Sequence, residues 1–372
     1  MNADRAFSVG IVPHRASVSQ PFERIRVTAL AASAYTLVVM DDMVETRPWH
    51  EPAVLTLDWD KPPRDRYAAL PDEAVRKGKE LLAALRAQVS PLVQFAGDWA
   101  RWRTRGRFHE EVRALAERLG ESWRVVMAGN LTYDLVLASY GCSTMALATP
   151  DGPVLARNMD WRPETVLAKT TYLIRAERKT DLVFASAGWP GAVGVVTGLS
   201  GRGFAVALNA VAAPQGISPT GYPVLLHLRR VVEEAEDFDD AVRRLVEEHL
   251  TAGCLLTVVG RENDQRVVIE RTPRRAALRR PVGSEPLLTT NHYRAMPGMP
   301  PPPDNAEGTC PRFARLCALW RDRRHGETVS DEDLLTMLTD AEVMQEFTVH
   351  HIIIRPRAGS LRAWVPGRLL NA

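Results

Sequence analysis

The chain has 372 residues, of which 45% are hydrophobic and 25% are charged, as in ordinary globular proteins. Its 47 basic residues nearly balance its 45 acidic residues, so the net charge of +2 gives no reason to expect a nucleic-acid-binding surface. The uncharged run from Val27 to Met40 is too short to span a bilayer. The first ten residues lack the basic start and apolar core of a secretory signal, so we expect a cytoplasmic protein.

The first part of the chain, residues 1–141, is predicted to be mainly helical. Residues 52–60 are typical of a short strand, and the Ala- and Leu-rich stretch after them favours helices. An amphipathic helix is predicted to end at Gly120, and an apolar, helix-like segment over residues 122–141 leads directly to Cys142. Trp99 and Trp102 are three apart among several arginines, which predicts a packed helix face and leaves open a transient contact with a membrane surface.

After Cys142 the pattern changes to short alternating segments separated by Gly, Pro and Asp, which indicates antiparallel strands. Two helices are predicted within residues 223–249, followed by three strands, a Pro-rich loop and two more helices. Residues 347–367 favour a closing hairpin. Runs of strands alternating with runs of helices predict an α+β fold, with antiparallel sheets covered by helices.

The cysteines do not indicate a disulfide framework or a zinc ribbon, because the chain is long and contains no CxxC pair. Adjacent residues on a strand point to opposite faces, so the neighbouring His350 and His351 are poorly placed to bind one metal ion. We therefore expect neither a metal nor a cofactor. The four cysteines are Cys142, Cys254, Cys310 and Cys317.

Cys142 is the cysteine with the most organised surroundings. It begins an alternating run, a Pro-Asp-Gly turn follows, and the predicted return strand contains Arg157 and Asp160. A thiol with a pKa of about 8.5 needs a nearby base or cation to act as a nucleophile at neutral pH. A histidine from elsewhere in the fold could serve. Alternatively, cleavage before Cys142 would make its own α-amine, with a pKa of about 8, the base.

The segment "GCSTM…ARNMDW" resembles the nucleophile segment of N-terminal-nucleophile (Ntn) amidases of the choloylglycine hydrolase and acid ceramidase superfamily. Four further patches, in the family's order, are similar to its members: "LTLDWDKPPRDRYAAL", "NLTYDLVLASYGCST", "LSGRGFAVALNA" and "LLTTNHY". The resemblance covers roughly residues 50–365. It implies the αββα four-layer sandwich of Ntn hydrolases, with residues 1–141 as a helical first segment and residues 142–372 as the catalytic core of one compact unit.

The resemblance also implies a role for each matching residue. Cys142 is expected to be the nucleophile, first for self-cleavage after Gly141 and then for substrate, with its new α-amine as the general base. Asp160 would orient that amine, and Arg157 would lower the thiol pKa. The remaining expected site residues are two oxyanion donors and a second arginine: Asn209, Asn291 and Arg312, with Arg315 as the close alternative to Arg312.

Three functions follow from these expectations. The first is hydrolysis of a linear amide, releasing an acyl acid from an amine through a thioester on Cys142. The long first segment favours N-acylethanolamine- or ceramide-like lipid amides, because the bile-salt branch has no such segment. The second is acyl transfer to an amine, as in the related isopenicillin N acyltransferase branch. The third is a non-catalytic, lipid-binding relative. Two associated chains are expected after cleavage.

Overall fold

A computed structural model describes residues 49–87, 93–135, 140–299, 309–323 and 328–371, and all structural statements refer to these ranges. The run from Val27 to Met40 lies outside them. The strands are β1 Trp49–His50, β2 Val54–Asp58, β3 Tyr140–Leu147, β4 Val154–Trp161, β5 Tyr172–Arg178, β6 Asp181–Gly188, β7 Thr197–Ser200, β8 Phe204–Ala210, β9 Cys254–Val259, β10 Arg266–Arg271, β11 Ala276–Arg279, β12 Leu287–Thr289, β13 Thr348–Arg355 and β14 Ser360–Pro366.

The first six helices precede β3, and the other six lie after β4. They are α1 Pro63–Ala68, α2 Asp72–Ala87, α3 Val93–Arg103, α4 His109–Leu119, α5 Trp123–Gly129, α6 Thr132–Leu135, α7 Glu164–Thr170, α8 Val224–Glu234, α9 Phe238–Glu247, α10 Thr309–Arg321, α11 Asp331–Leu338 and α12 Gly367–Leu370.

The strands form two sheets that face each other. One has six strands in the order β1-β14-β13-β4-β3-β12, and the other has eight in the order β11-β10-β9-β8-β7-β6-β5-β2. All pairings are antiparallel except the parallel pair of β2 with β5. Small and branched apolar side chains fill the space between the sheets, among them Ala146, Leu155, Ala205, Val259 and Ile352. Because side chains alternate along a strand, each sheet has one inner face and one outer face.

Helices cover both outer faces. Leu316 of α10 and Leu334 of α11 pack with Met145 and Ala156 on the six-stranded sheet. Residues of α8 and α9 pack in the same apolar cluster as Val206 and Val258 of the eight-stranded sheet. The order of layers is therefore helix, sheet, sheet, helix, which confirms the predicted α+β, αββα sandwich.

The helices of the first segment agree with the sequence prediction for the most part. The strand expected at residues 52–60 is β2, and α4 ends at Gly120, whose φ of +64° suits a glycine C-cap. Residues 122–141 do not form one helix, however. Asn130 interrupts it, because its side-chain amide donates to Val126 O at 2.7 Å and its Oδ1 accepts the N–H groups of residues 193 and 194, each at 2.8 Å. The chain is already in strand β3 at Tyr140.

The two tryptophans of α3 have different surroundings. The indole N–H of Trp99 donates to Pro219 O at 2.7 Å, whereas the side chain of Trp102 is 64% exposed. Within the described ranges, no helix combines the length and the apolar character needed to cross a bilayer.

Candidate active site

The β3–β4 hairpin determines which side chains of the candidate site meet. Cys142 lies opposite Met159, and Gly141 lies opposite Asp160. Directly opposed residues of an antiparallel pair point to the same face. Cys142 and Arg157 therefore point to the inner face, between the sheets, whereas Asp160 points to the outer face with its neighbour Gly141.

The sulfur of Cys142 contacts the guanidinium of Arg157 on the inner face. Arg157 Nη2 donates to the sulfur at 2.8 Å, while Nη1 donates to Thr197 Oγ1 at 2.7 Å and to Leu208 O at 3.0 Å. Cys142 is only 4% exposed. Burial raises the pKa of the thiol above its ordinary value, and the charge of Arg157 opposes that rise without cancelling it. The expectation that Arg157 favours the thiolate is thus met in direction, but burial outweighs it in the intact chain.

The backbone of Cys142 is held by Asn291 and Arg312. Its N–H donates to Asn291 Oδ1 at 3.0 Å, and Arg312 Nη1 donates to its carbonyl oxygen at 2.6 Å. Arg312 also donates through Nη2 to Asn291 Oδ1 at 2.7 Å and through Nη1 to Ser143 Oγ at 2.8 Å. The nitrogen that would become the terminal amine is therefore fixed by a distant loop and by α10.

Asp160 lies on the outer face beside the Gly141–Cys142 bond. A Cβ added to Gly141 would lie 3.0 Å from Asp160 Oδ2, so the carboxylate approaches this backbone as closely as a glycine permits. Its Oδ1 accepts a hydrogen bond from Thr348 Oγ1 at 2.7 Å, and Arg312 Nη1 is 3.8 Å from Oδ2. Burial raises the pKa of the Asp160 carboxyl, against the opposing charge of Arg312.

The expected oxyanion donors both lie in the site. Asn209 accepts a hydrogen bond from Thr144 Oγ1 at 2.7 Å and donates through its amide to Thr289 O at 3.2 Å. The amide of Asn291 donates to Ala210 O at 2.9 Å. In the intact chain both amide groups donate to backbone carbonyls, and their role as oxyanion donors stays a prediction.

The choice between Arg312 and Arg315 follows from the orientation of α10. Arg312 is 3% exposed and points to Cys142. Arg315 instead forms an ion pair with Asp340, with Nη2 2.6 Å from Oδ2. The other five expected site residues thus lie around Cys142, whereas Arg315 is bound to Asp340.

The two adjacent histidines are on opposite faces, as expected. His351 Nδ1 is hydrogen-bonded to Asn158 Oδ1 at 2.7 Å, and its ring packs edge-on against Trp49. The ring of His350 instead stacks on Trp189. Among the described residues, no group of three or more His, Cys, Asp or Glu could hold a metal ion.

Several residues of the site were not identified from the sequence. These are hydroxyl residues that orient the charged groups: Ser143, Thr144, Thr197 and Thr348. Thr144 could have been recognised, because it follows Cys142 at the strand period of two and shares its face. Thr197 and Thr348 come from other strands, and no local pattern marks them.

Comparisons with known proteins point to one group of enzymes. A family model described as acyl-coenzyme A:6-aminopenicillanic acid acyl-transferase matches residues 147–317, beginning just after the nucleophile segment. N-acylethanolamine-hydrolyzing acid amidase is 27% identical over 175 residues in Rattus norvegicus and 26% identical over 175 residues in Mus musculus. Each match covers 44% of this chain and 47% of the relative, so the chain spans about half the length of the curated relatives that it matches.

A solved structure is also similar. The Caenorhabditis elegans N-acylethanolamine-hydrolyzing acid amidase ortholog matches with a TM-score of 0.49 and 18% identity, over 58% of this chain and 93% of that chain.

The αββα layering, with a cysteine near the start of an inner strand, is the architecture that the resemblance to N-terminal-nucleophile hydrolases implies. The sequence matches bear out the resemblance found in the motifs. Over the matched ranges the chain is similar to the acyl-transferase family and to N-acylethanolamine-hydrolyzing acid amidases, in agreement with the resemblance to their superfamily.

Proposed function

We propose that the protein is a self-processing cysteine amidase that hydrolyses linear amides of N-acyl substrates. The observation that carries this proposal is the double environment of Cys142. Its sulfur is 2.8 Å from the Arg157 guanidinium. Its backbone N–H donates a hydrogen bond to Asn291 and belongs to the Gly141–Cys142 peptide bond, which lies beside Asp160. A cysteine that uses its own amine as the base needs both surroundings at once.

Self-cleavage would begin with attack of the Cys142 sulfur on the Gly141 carbonyl carbon. The Gly141–Cys142 carbon–nitrogen bond breaks as the carbon–sulfur bond forms, and the sulfur's proton passes to the departing nitrogen. Water then hydrolyses this thioester, which leaves a carboxylate on Gly141 and an α-amine on Cys142. Asp160 Oδ2 has no hydrogen-bond partner among the described residues, so it is available to accept a hydrogen bond from the new amine.

Substrate turnover would repeat the same chemistry on an external amide. The α-amine takes the thiol proton as sulfur attacks the acyl carbon, and it gives that proton to the leaving amine. Asn209 and Asn291 would donate to the tetrahedral oxyanion, where one preorganised donor is typically worth about 3 kcal/mol. Water resolves the thioester and releases the acid.

The substrate class is proposed from the relatives. Two curated relatives are named for hydrolysis of N-acylethanolamines, which supports N-acylethanolamine- or ceramide-like lipid amides. The test is release of acid from N-palmitoylethanolamine by purified protein, with Cys142→Ser beside Cys254→Ser as a matched buried cysteine. Hydrolysis that is lost only in Cys142→Ser supports the proposal. Hydrolysis that survives in Cys142→Ser would refute it.

After cleavage the two chains are expected to stay associated, because the first segment completes both sheets. β1 pairs with β14 and β2 pairs with β5. In addition, Tyr133 donates to Gly253 O at 2.6 Å across the two segments. Size-exclusion chromatography of cleaved protein should recover both chains in one peak, and separate elution would contradict this association.

A transient contact with a membrane surface is supported by α3. Phe95 and Trp102 are 63% and 64% exposed, with Arg101 and Arg103 close by in the sequence. Co-sedimentation with anionic phospholipid vesicles should fall in a Phe95→Ser/Trp102→Ser double variant. Equal sedimentation of the variant and the wild type would show that this face of α3 does not contact the membrane.

Acyl transfer is the second candidate, because the matching family model is described as an acyl-transferase. The same thioester would then be resolved by an amine instead of water. Hydroxylamine added during turnover should divert product from the acid to the hydroxamate. Nearly complete diversion at low hydroxylamine concentration would favour transfer, and unchanged acid release would favour hydrolysis.

A further inference from the structure

His350 is a buried side chain near the nucleophile that the proposed mechanism does not use. It is 0% exposed, and within the part of the chain that the structure describes neither Nδ1 nor Nε2 has a hydrogen-bond partner. Leaving a buried polar group unpaired costs about 1–3 kcal/mol. Two such atoms on one side chain therefore require an explanation.

The register of the six-stranded sheet places His350 in the same row as Cys142. Met159 of β4 lies opposite Cys142 of β3 on one side and opposite His350 of β13 on the other. All three side chains therefore point to the inner face. Two strand spacings separate the backbones of Cys142 and His350 by about 10 Å. That distance is within the reach of a substrate attached to the sulfur.

The imidazole is held neutral. Burial lowers its pKa well below the ordinary histidine value, and the nearby charge of Arg157 lowers it further. A neutral imidazole offers one N–H donor and one lone-pair acceptor. Its ring stacks on Trp189 with the centroids 6.1 Å apart, and Trp189 meets Trp161 edge-on at 5.6 Å.

The substrate can reach His350 only if the region around Cys142 opens. The nucleophile itself is 4% exposed in the intact chain, so substrate access to the sulfur requires that opening in any case. Both groups lie on the same inner face, and a molecule bound to one is close to the other.

We propose that His350 determines specificity by hydrogen bonding to a hydroxyl group of the amide substrate; this inference rests on the proposed amidase function. A hydroxyl group both donates and accepts, so it can pair with either nitrogen of a neutral imidazole. An ammonium group would be repelled by Arg157. A carboxylate accepts only and could not satisfy the imidazole lone pair.

The test compares substrates that differ only in one hydroxyl group. One pair is N-palmitoylethanolamine with N-palmitoylpropylamine, which places the hydroxyl in the amine portion. The other is a 2-hydroxypalmitoyl amide with the palmitoyl amide of the same amine. The wild type should prefer the hydroxylated member of one pair by about ten- to a hundredfold in kcat/KM, and the responding pair tells which portion faces His350.

The variants are His350→Phe, which keeps a ring and removes both nitrogens, and His350→Gln, which keeps a donor and an acceptor. In His350→Phe the preference should fall to about twofold or less, and His350→Gln should restore part of it. His351→Phe is the matched control, since that ring lies on the outer face against Trp49, and it should keep the wild-type ratio.

Each outcome decides between the possibilities. If the wild type shows no hydroxyl preference in either pair, or if His350→Phe retains the wild-type ratio, His350 is only a packing residue and the inference is overturned. If the wild type hydrolyses none of the four substrates, the amidase function fails and this inference fails with it. If His350→Phe does not fold, the ratio in His350→Gln together with His350→Asn decides.

Discussion

The two faces of the β3–β4 hairpin have different chemistry. The inner face holds the Cys142 sulfur, Arg157 and the neutral His350, enclosed between two sheets. The outer face holds Asp160 and Arg312, whose closest charged atoms are 3.8 Å apart. The sheet therefore separates the groups beside the sulfur from the groups beside the Gly141–Cys142 bond, at which we propose self-cleavage.

This difference would allow one cysteine to combine the proposed roles of nucleophile and base. A side chain points to one face of a strand, but the backbone nitrogen lies in the strand itself and is reached from the neighbouring loop by Asn291. Cys142 therefore has polar neighbours on both faces of the sheet. Arg157 contacts its sulfur. The groups around its backbone are Asn291, Arg312 and Asp160. The following variants test the two faces separately.

The largest effect is expected for Arg157→Lys on the inner face. A single ammonium group cannot reproduce the geometry of the guanidinium, which bonds the sulfur, Thr197 and Leu208 O together. Self-cleavage, followed by gel densitometry, should slow by about a hundred- to a thousandfold. Arg266→Lys is the control, because Arg266 is also buried but donates to backbone carbonyls such as Glu285 O at 2.7 Å. If self-cleavage slowed equally in both variants, the effect would reflect loss of protein stability and not a specific role of Arg157.

The outer face is tested by a pair of substitutions on α10. Arg312→Lys removes the guanidinium that donates hydrogen bonds to Cys142 O, Ser143 and Asn291. The variant should slow self-cleavage and substrate turnover by about ten- to a hundredfold. Arg315→Lys alters a half-exposed ion pair with Asp340 and should change unfolding free energy by less than about 1 kcal/mol. Similar cleavage rates in the two variants would exclude Arg312 from the site.

A smaller effect is expected for Gly141→Ala, which alters only the cleavage step. The added Cβ would press on Asp160 Oδ2 at 3.0 Å and move the carboxylate away from the bond. Cleavage should slow by about tenfold, since a displaced but present carboxylate retains part of its effect. Protein that has been cleaved should keep its wild-type kcat/KM on N-palmitoylethanolamine. A loss in both measurements would show that the substitution disturbs the mature site as well.

The least effect on chemistry is expected for Asp134→Asn, which tests the segment before the hairpin. Burial raises the pKa of this carboxyl to about 7 from an ordinary 3.8. The folded state therefore holds the proton more tightly than the unfolded state, and protonation of Asp134 favours folding. This contribution to the free energy of unfolding is complete below about pH 4 and is lost as the pH rises towards 7. In denaturant unfolding, the free energy of unfolding of the variant should rise relative to that of the wild type by up to about 4 kcal/mol between about pH 4 and about pH 7. A pH-independent difference would contradict a buried, protonated Asp134.

The sequence predicted the hairpin because it depends on local spacing. Cys142, Arg157 and Asp160 lie on two consecutive strands joined by a short turn, so the period of two places each on its face. The fold class followed from the same alternation and from the resemblance.

What the sequence did not predict depends on contacts between distant segments. Arg312 and Arg315 are three residues apart on one helix, and only the packing of α10 on the sheet shows which of them faces Cys142. The break at Asn130 arises because its side chain binds residues 193 and 194, far along the chain. His350 was recognised as opposite in direction to His351, but its place in the row of Cys142 depends on strand order.

The most direct test of self-processing is the intact mass of purified wild type and Cys142→Ala after incubation from about pH 4.5 to about pH 8. We expect the wild type to become two chains, residues 1–141 and 142–372, and Cys142→Ala to stay whole at every pH. If the wild type also stays whole throughout, or if Cys142→Ala is cleaved at the same bond, Cys142 is not a self-processing nucleophile and the central claim is wrong.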